Sequence, residues 1–194
     1  MTNIKRRRSR GVPIVILAGR ILRDKGVGEF VSAARLLREA GIASRFQIAG
    51  AIDPGNPSSY TEAEIAAWEE NGLIELLGFR SDLSRLFASA NLVVLPSYRE
   101  GLPKVLIEAA ACARAVVTTN VPGCRDAIEP DKTGVLVPAR DGQSLAQAIR
   151  FLIEHPVIRK NMGSAGRSQA EKLFSIENVI SKHLEIYDGL MVGG

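Results

Sequence analysis

A chain of 194 residues, 46% hydrophobic and 24% charged, has ordinary globular composition and a length that suits one domain. Its two cysteines, Cys112 and Cys124, have no CxxC or Cys/His spacing, which argues against a disulfide framework or a cysteine metal site and fits a reduced, cytoplasmic setting. The formal charge of +4 does not mark a nucleic-acid binder: Lys5, Arg6, Arg7, Arg8 and Arg10 supply more than all of it, leaving about one net negative charge on the rest.

The basic run reads as a flexible terminus over residues 1–12, with peripheral contact to anionic lipid headgroups as the alternative. Followed by "GVPIVILAG" it has the outline of a signal peptide. However, the apolar stretch is short, lacks an A-x-A-like site and runs into Arg20, Arg23, Asp24 and Lys25. No run approaches the ~18 apolar residues of a membrane span. "PIVILAG" is therefore a first buried strand, followed by a helix over Gly28 to Ala40 with Phe30, Val31, Ala34, Leu37 and Ala40 at helical spacing.

"RFQIAG" is a second strand, leading through a Pro/Gly/Ser-rich connection at Asp53 to Ser59 into a helix over Glu62 to Glu70. "LIELLGF" is the third strand, and a helix over Asp82 to Ala90 follows with Ser81 as its expected N-cap. "NLVVLPS", "AVVTTN" and "GVLVP" supply three more strands. Beyond them Asp141 caps a helix over Leu145 to Ile153, and two further helices cover Pro156 to Leu173 and Ser175 to Tyr187. Strands apolar on both faces and separated by helices predict an α/β, Rossmann-like, doubly wound parallel sheet of about six strands with a helical carboxyl-terminal tail. One domain over 13–188 and a flexible tail over 189–194 are expected. Ligands of such sheets bind beyond the carboxyl ends of the strands.

The loops at that edge carry the chemistry. Pro103 suits a first helical turn, so the helix through "PKVLIEAAA" is expected to start near Leu102, its open amides facing an anion. Glu100 lies just before it. Glu108 lies inside, among Leu106, Ile107, Ala109, Ala110 and Ala111, where burial would demand a partner. That partner is either Lys25, Arg20 or Lys104, or the hydroxyls of a ligand with a phosphate between two polyols. Arg20 and Lys25, in "AGRILRDKG", can neutralise a diphosphate without a metal, and the chain has no D-x-D pair. His155 and His183, both in the helical tail, and Trp68 and Tyr60 read as surface or packing residues.

Arg20 with Lys25-Gly26, then "GFRSDLSRLFASANLVVLPSYREGLPKVLIEAAA", "VVTTNVPGCRDAI" and "TGVLVP", resemble the carboxyl-terminal, donor-binding half of a GT-B glycosyltransferase of family 4 (group 1 type). The resemblance covers Pro13 to Tyr187. It implies that Glu100 and Glu108 form an E-x7-E motif, with Glu100 at the donor sugar and Glu108 at the ribose. Arg20 and Lys25 would hold the diphosphate and act with Glu100 as the catalytic residues. Gly19, Gly101, Leu102 and Pro103 would line the phosphate site, and Gly78, Phe79 and Arg80 would border the base.

The resemblance also implies transfer with retention, a UDP-hexose or UDP-N-acetylhexosamine donor, no cofactor, no metal and a role in surface polysaccharide synthesis. An amino-terminal acceptor domain, or a partner chain, would complete the enzyme. The competing reading is a non-catalytic nucleotide-sugar-binding module or one half of a split enzyme. A dinucleotide-binding enzyme fits poorly, because strand one leads into no G-x-G-x-x-G.

Overall fold

The apolar runs become six short strands: β1 (Ile14–Ala18), β2 (Arg45–Ala49), β3 (Glu75–Gly78), β4 (Leu92–Leu95), β5 (Ala115–Thr119) and β6 (Gly134–Val137). In this computed structural model, which describes residues 11–192, they pair in parallel in the order β3-β2-β1-β4-β5-β6. The expected Rossmann-like doubly wound sheet is therefore present. The strand order reverses between β1 and β4, which leaves a crevice where the loops after them diverge. The basic run from Lys5 to Arg10 lies outside the described residues.

Alternation along the strands builds two cores. Val15 and Leu17 of β1 pack with Phe30 and Leu37 of α1 (Val27–Glu39) and Ile149 of α6 (Gly142–Glu154). Ile16 and Ala18 face the other way, toward Phe87 of α3 (Leu83–Ser89) and Leu106 of α4 (Lys104–Ala111). Each such fully buried side chain contributes about 1.5–3 kcal/mol. The remaining helices are α2 (Glu62–Glu70), α5 (Pro122–Ala127), α7 (Pro156–Phe174) and α8 (Ile176–Val192).

Two arginines finish helices. Arg114 donates to the carbonyls of Ala90 and Cys112, the C-caps of α3 and α4, each at 3.0 Å. Arg159 donates to the carbonyls of Leu152 and Ile153 in the last turn of α6, which leaves their positive charges at the negative ends of these helices. Hollows of roughly 350 Å³, lined by both arginines, and 700 Å³, lined by Arg159, lie at the amino ends of the strands, opposite the crevice.

Several boundaries differ from the sequence reading. The N-cap of α3 is Asp82, not Ser81: its carboxylate is drawn to Arg80 and makes no capping bond. Helix α4 begins at Lys104, not near Leu102, because Pro103 is extended (ψ 108°) and serves as N-cap. Helix α5 was not anticipated, since Gly123 weakens its pattern; Pro122 at its first turn was the available signal. A short 3-10 turn at Arg23–Lys25 precedes α1, and residues 189–192, expected in a loose tail, are helical.

Ala113 has a φ of 55°, in the left-handed region, immediately after α4. A Cβ on Gly163 of α7 would fall 2.2 Å from the Ala113 carbonyl, so the helix above holds that conformation in place. A non-glycine residue there costs roughly 1–2 kcal/mol of backbone strain, which glycine would relieve at the expense of some chain entropy. Ala113→Gly should therefore raise stability by up to about 1 kcal/mol, read as a higher denaturant midpoint at unchanged slope.

Candidate active site

The loop after β1 is fixed before it reaches the crevice. Gly19 donates its amide to the Ala49 carbonyl at 3.0 Å, and Arg20 points out to Asp53, with Nη1 to Oδ2 at 3.1 Å. Gly26, with φ 70°, ends the 3-10 turn and starts α1. A Cβ at Gly26 would stand 2.1 Å from the Pro96 carbonyl, so only glycine lets the loops after β1 and β4 approach this closely.

That approach brings Lys25 to Glu100. Lys25 Nζ lies 2.7 Å from Glu100 Oε1, with side chains 22% and 12% exposed. The hydroxyl of Ser97 donates to the same oxygen at 2.6 Å. Among the described residues Glu100 Oε2 takes no hydrogen bond, so it remains an open acceptor. The loop that carries Glu100 rests on β5: Thr118 donates to the Leu95 carbonyl at 2.7 Å, and Thr119 donates to the Ser97 carbonyl. On its far side Gly123 of α5 packs so closely that a Cβ there would lie 1.8 Å from the Gly101 carbonyl and 2.5 Å from that of Glu100.

Gly101 and Leu102 are exposed beyond this loop, Pro103 is buried, and α4 opens with its first amides toward the same edge. Glu108 overturns one expectation. It is exposed on α4 and makes no ion pair with Lys25, Arg20 or Lys104 among the described residues. Its neighbours in sequence are apolar, but Leu106, Ala109 and Ala110 turn inward while Glu108, about 200° around the helix from Leu106, turns out. Its carboxylate is thus available to an outside partner.

The loop after β3 completes the edge. Gly78 has φ 67°, Phe79 is 80% exposed, and Arg80 grips Asp82 with two bonds of 2.7 Å that hold the Asp82 carboxyl below its usual range. His155 lies at the end of α6 against Phe151, and His183 lies on α8. Trp68 and Tyr60 pack edge to face, with ring centroids 4.8 Å apart.

The structure thus joins Lys25 to Glu100 directly. It keeps Arg20 on a separate partner and leaves Glu108 and Phe79 unengaged at the same edge. Sequence reasoning missed Asp53, Ser97 and Gly123, which hold these residues. Asp53 heads a loop read as a plain connection, and the other two carry no sign of their role beyond following strands.

A family model described as "Glycosyl transferases group 1" matches residues 2–169. The capsular polysaccharide biosynthesis glycosyltransferase CapM of Staphylococcus aureus is 30% identical over 172 residues, 89% of this chain and 44% of that protein. Among solved structures, sucrose-phosphate synthase from Thermosynechococcus elongatus superposes with a TM-score of 0.82 at 28% identity, covering 94% of this chain and 46% of that one. S. aureus TarM, in complex with Fondaparinux, alpha-GlcNAc-glycerol and UDP, superposes with a TM-score of 0.79 at 25% identity, covering 91% of this chain and 35% of that one. The chain spans less than half the length of each of these three proteins.

Gly123→Ala forces a methyl group into the backbone of residues 100–101 and should cost about 1–3 kcal/mol in denaturant unfolding. Gly55→Ala, with nothing within 4 Å, serves as the control and should stay within about 0.5 kcal/mol of wild type.

Proposed function

The chain belongs to the group 1 glycosyl transferases, and from that premise we propose that it is the donor-binding half of a retaining enzyme that uses a UDP-hexose or UDP-N-acetylhexosamine. The observation that carries the reading is the placement of Lys25 and Glu100 at the crevice between β1 and β4, beside the open start of α4 and the free carboxylate of Glu108. This order suits a ligand with a sugar at one end, a diphosphate in the middle and a ribose at the other. Glu100 Oε2 would accept from sugar hydroxyls and Glu108 from those of the ribose. Exposed Phe79 offers a face on which a base can stack.

In the proposed reaction the bond between the anomeric carbon and the diphosphate oxygen breaks, and its electron pair stays on the diphosphate. Lys25, Arg20 and the helix amides stabilise that charge where a metal would otherwise serve. The acceptor hydroxyl bonds to the same face of the anomeric carbon, and its proton passes to the departing phosphate oxygen. That route gives retention without a covalent intermediate and needs no cofactor.

Less than half of each relative's length is represented here, so the acceptor site is assigned to an amino-terminal half or a partner chain. Exposed Ile180, Leu184 and Tyr187 form one stripe on α8 that such a half would cover. No helix among the described residues is long and apolar enough to cross a membrane. We place the protein in the cytoplasm, contributing to surface polysaccharide synthesis, with the basic run near Lys5 available to a membrane surface. No nucleic-acid partner enters the proposal.

Calorimetry with UDP, GDP and ADP should show one nucleoside diphosphate binding the isolated chain, with little sugar transfer until the other half is supplied. Lys25→Ala should weaken binding about tenfold, the equivalent of about 1.4 kcal/mol. Glu108→Gln should weaken it while leaving the melting temperature in place, because Glu108 has no internal partner to lose. Absence of nucleotide binding at millimolar concentration, or vigorous transfer by the chain alone, would overturn the reading.

A further inference from the structure

Tyr98 joins the segment that carries Lys25 to the one that carries Glu100. Its amide donates to the Asp24 carbonyl at 2.8 Å, one residue before Lys25. Its phenol donates to Glu29 Oε1 at 2.6 Å, four residues after Lys25, in the first turn of α1. Two residues beyond Tyr98, Glu100 receives Lys25 itself. Three bonds therefore pin residues 24–29 to residues 98–100, and Lys25 sits between the outer two. Arg140, from the loop after β6, closes the outer side with its guanidinium 4.8 Å above the Tyr98 ring.

Packing alone does not account for this arrangement. Glu29 brings a carboxylate into a site where its second oxygen, Oε2, is buried and has no hydrogen-bond partner. Burying an unsatisfied acceptor is costly, and two apolar side chains of similar shape would fill the space without that cost. What they would not supply is a directional bond that fixes the distance between α1 and the β4 loop. Burial, together with the Glu29 carboxylate, holds the Tyr98 phenol above the ordinary tyrosine range, so it stays a donor throughout the working pH range.

We propose that Tyr98, acting through Glu29, is a positioning residue that sets the reach of Lys25 into the donor site. The proposal rests on the donor-site reading given above. Lys25 has three N–H donors and spends one on Glu100, so its remaining donors can meet a phosphate only while the segment around it is held at this height. Tyr98→Phe keeps the ring and the backbone bond to Asp24 but leaves both Glu29 oxygens without a donor.

The test combines two readouts on the full chain. The first is competitive acetylation of lysines by acetic anhydride without ligand, read by mass spectrometry, with exposed Lys104 and Lys132 as internal references. The second is UDP and uridine binding by calorimetry. Tyr98→Phe should raise the reactivity of Lys25 several-fold relative to the references and weaken UDP five- to tenfold, leaving uridine unchanged. In a Lys25→Ala background the same change should have no further effect on UDP. Glu29→Gln with Tyr98 intact, which can still accept from the phenol, should keep both readouts at their wild-type values.

The double variant Tyr98→Phe/Glu29→Leu removes both polar partners and separates stability from positioning. Its melting temperature should recover while Lys25 stays reactive and UDP stays weak. Recovery of all three, or unchanged Lys25 reactivity in Tyr98→Phe, would overturn the proposal. Failure of the donor-site reading would show separately, as wild type that binds no UDP while the labelling arm still reports on Lys25.

Discussion

The structure at the carboxyl edge of the sheet depends on one ion pair, Lys25 to Glu100, that bridges the crevice where the strand order reverses. β1 and β4 pair side by side, but the loops after them lead to helices on opposite faces, so the ladder alone does not set how closely those loops approach. Their approach requires glycine at position 26 against the Pro96 carbonyl, and the threonines of β5 hold the floor under Glu100. A half-buried pair of this kind is weak evidence for stability, since desolvation offsets much of the attraction. Its physical consequence is register: each loop fixes the height of the other.

Much of the fold was legible in the sequence because its signals are local. Runs such as "PIVILAG" and "NLVVLPS" are apolar on both faces, and the helical spacing from Phe30 to Ala40 is regular, so a parallel sheet followed. The boundaries that failed involve competition that spacing does not record. Asp82 is the N-cap although its carboxylate goes to Arg80 instead of the helix amides, and Pro103 stayed extended although its φ suits a helix. Ala113 shows the same limit, as nothing in "ACARA" reveals a left-handed residue until α7 presses on its carbonyl.

The identity of the site residues was legible, but their pairing was not. Arg20 and Asp53 are 33 positions apart, and Tyr98 and Glu29 are 69 apart; only the order of the strands places them together. Glu108 shows how the choice between an internal partner and an outside one was decided. Apolar neighbours on both sides suggested burial, yet a helix of eight residues presents its sides in turn, and Glu108 falls on the outer one. The motif was readable as a pattern, and its geometry needed the helix phase.

Arg20, Lys25 and Arg80 at the donor edge each already hold a carboxylate, yet the pairs are unequal. Arg20–Asp53 and Arg80–Asp82 are exposed, and separating such pairs costs roughly 0–1 kcal/mol, so these arginines can turn to a new anion at little expense. Lys25 and Glu100 are more deeply set, and breaking their contact would leave a half-buried carboxylate with only Ser97. Lysine avoids that choice, because its ammonium can keep Glu100 and donate to a phosphate at the same time. An arginine at this position would have to align a rigid planar fork with both partners, so on the donor reading the point-like charge of Lys25 is what lets a fixed ion pair also serve a ligand at a freer angle.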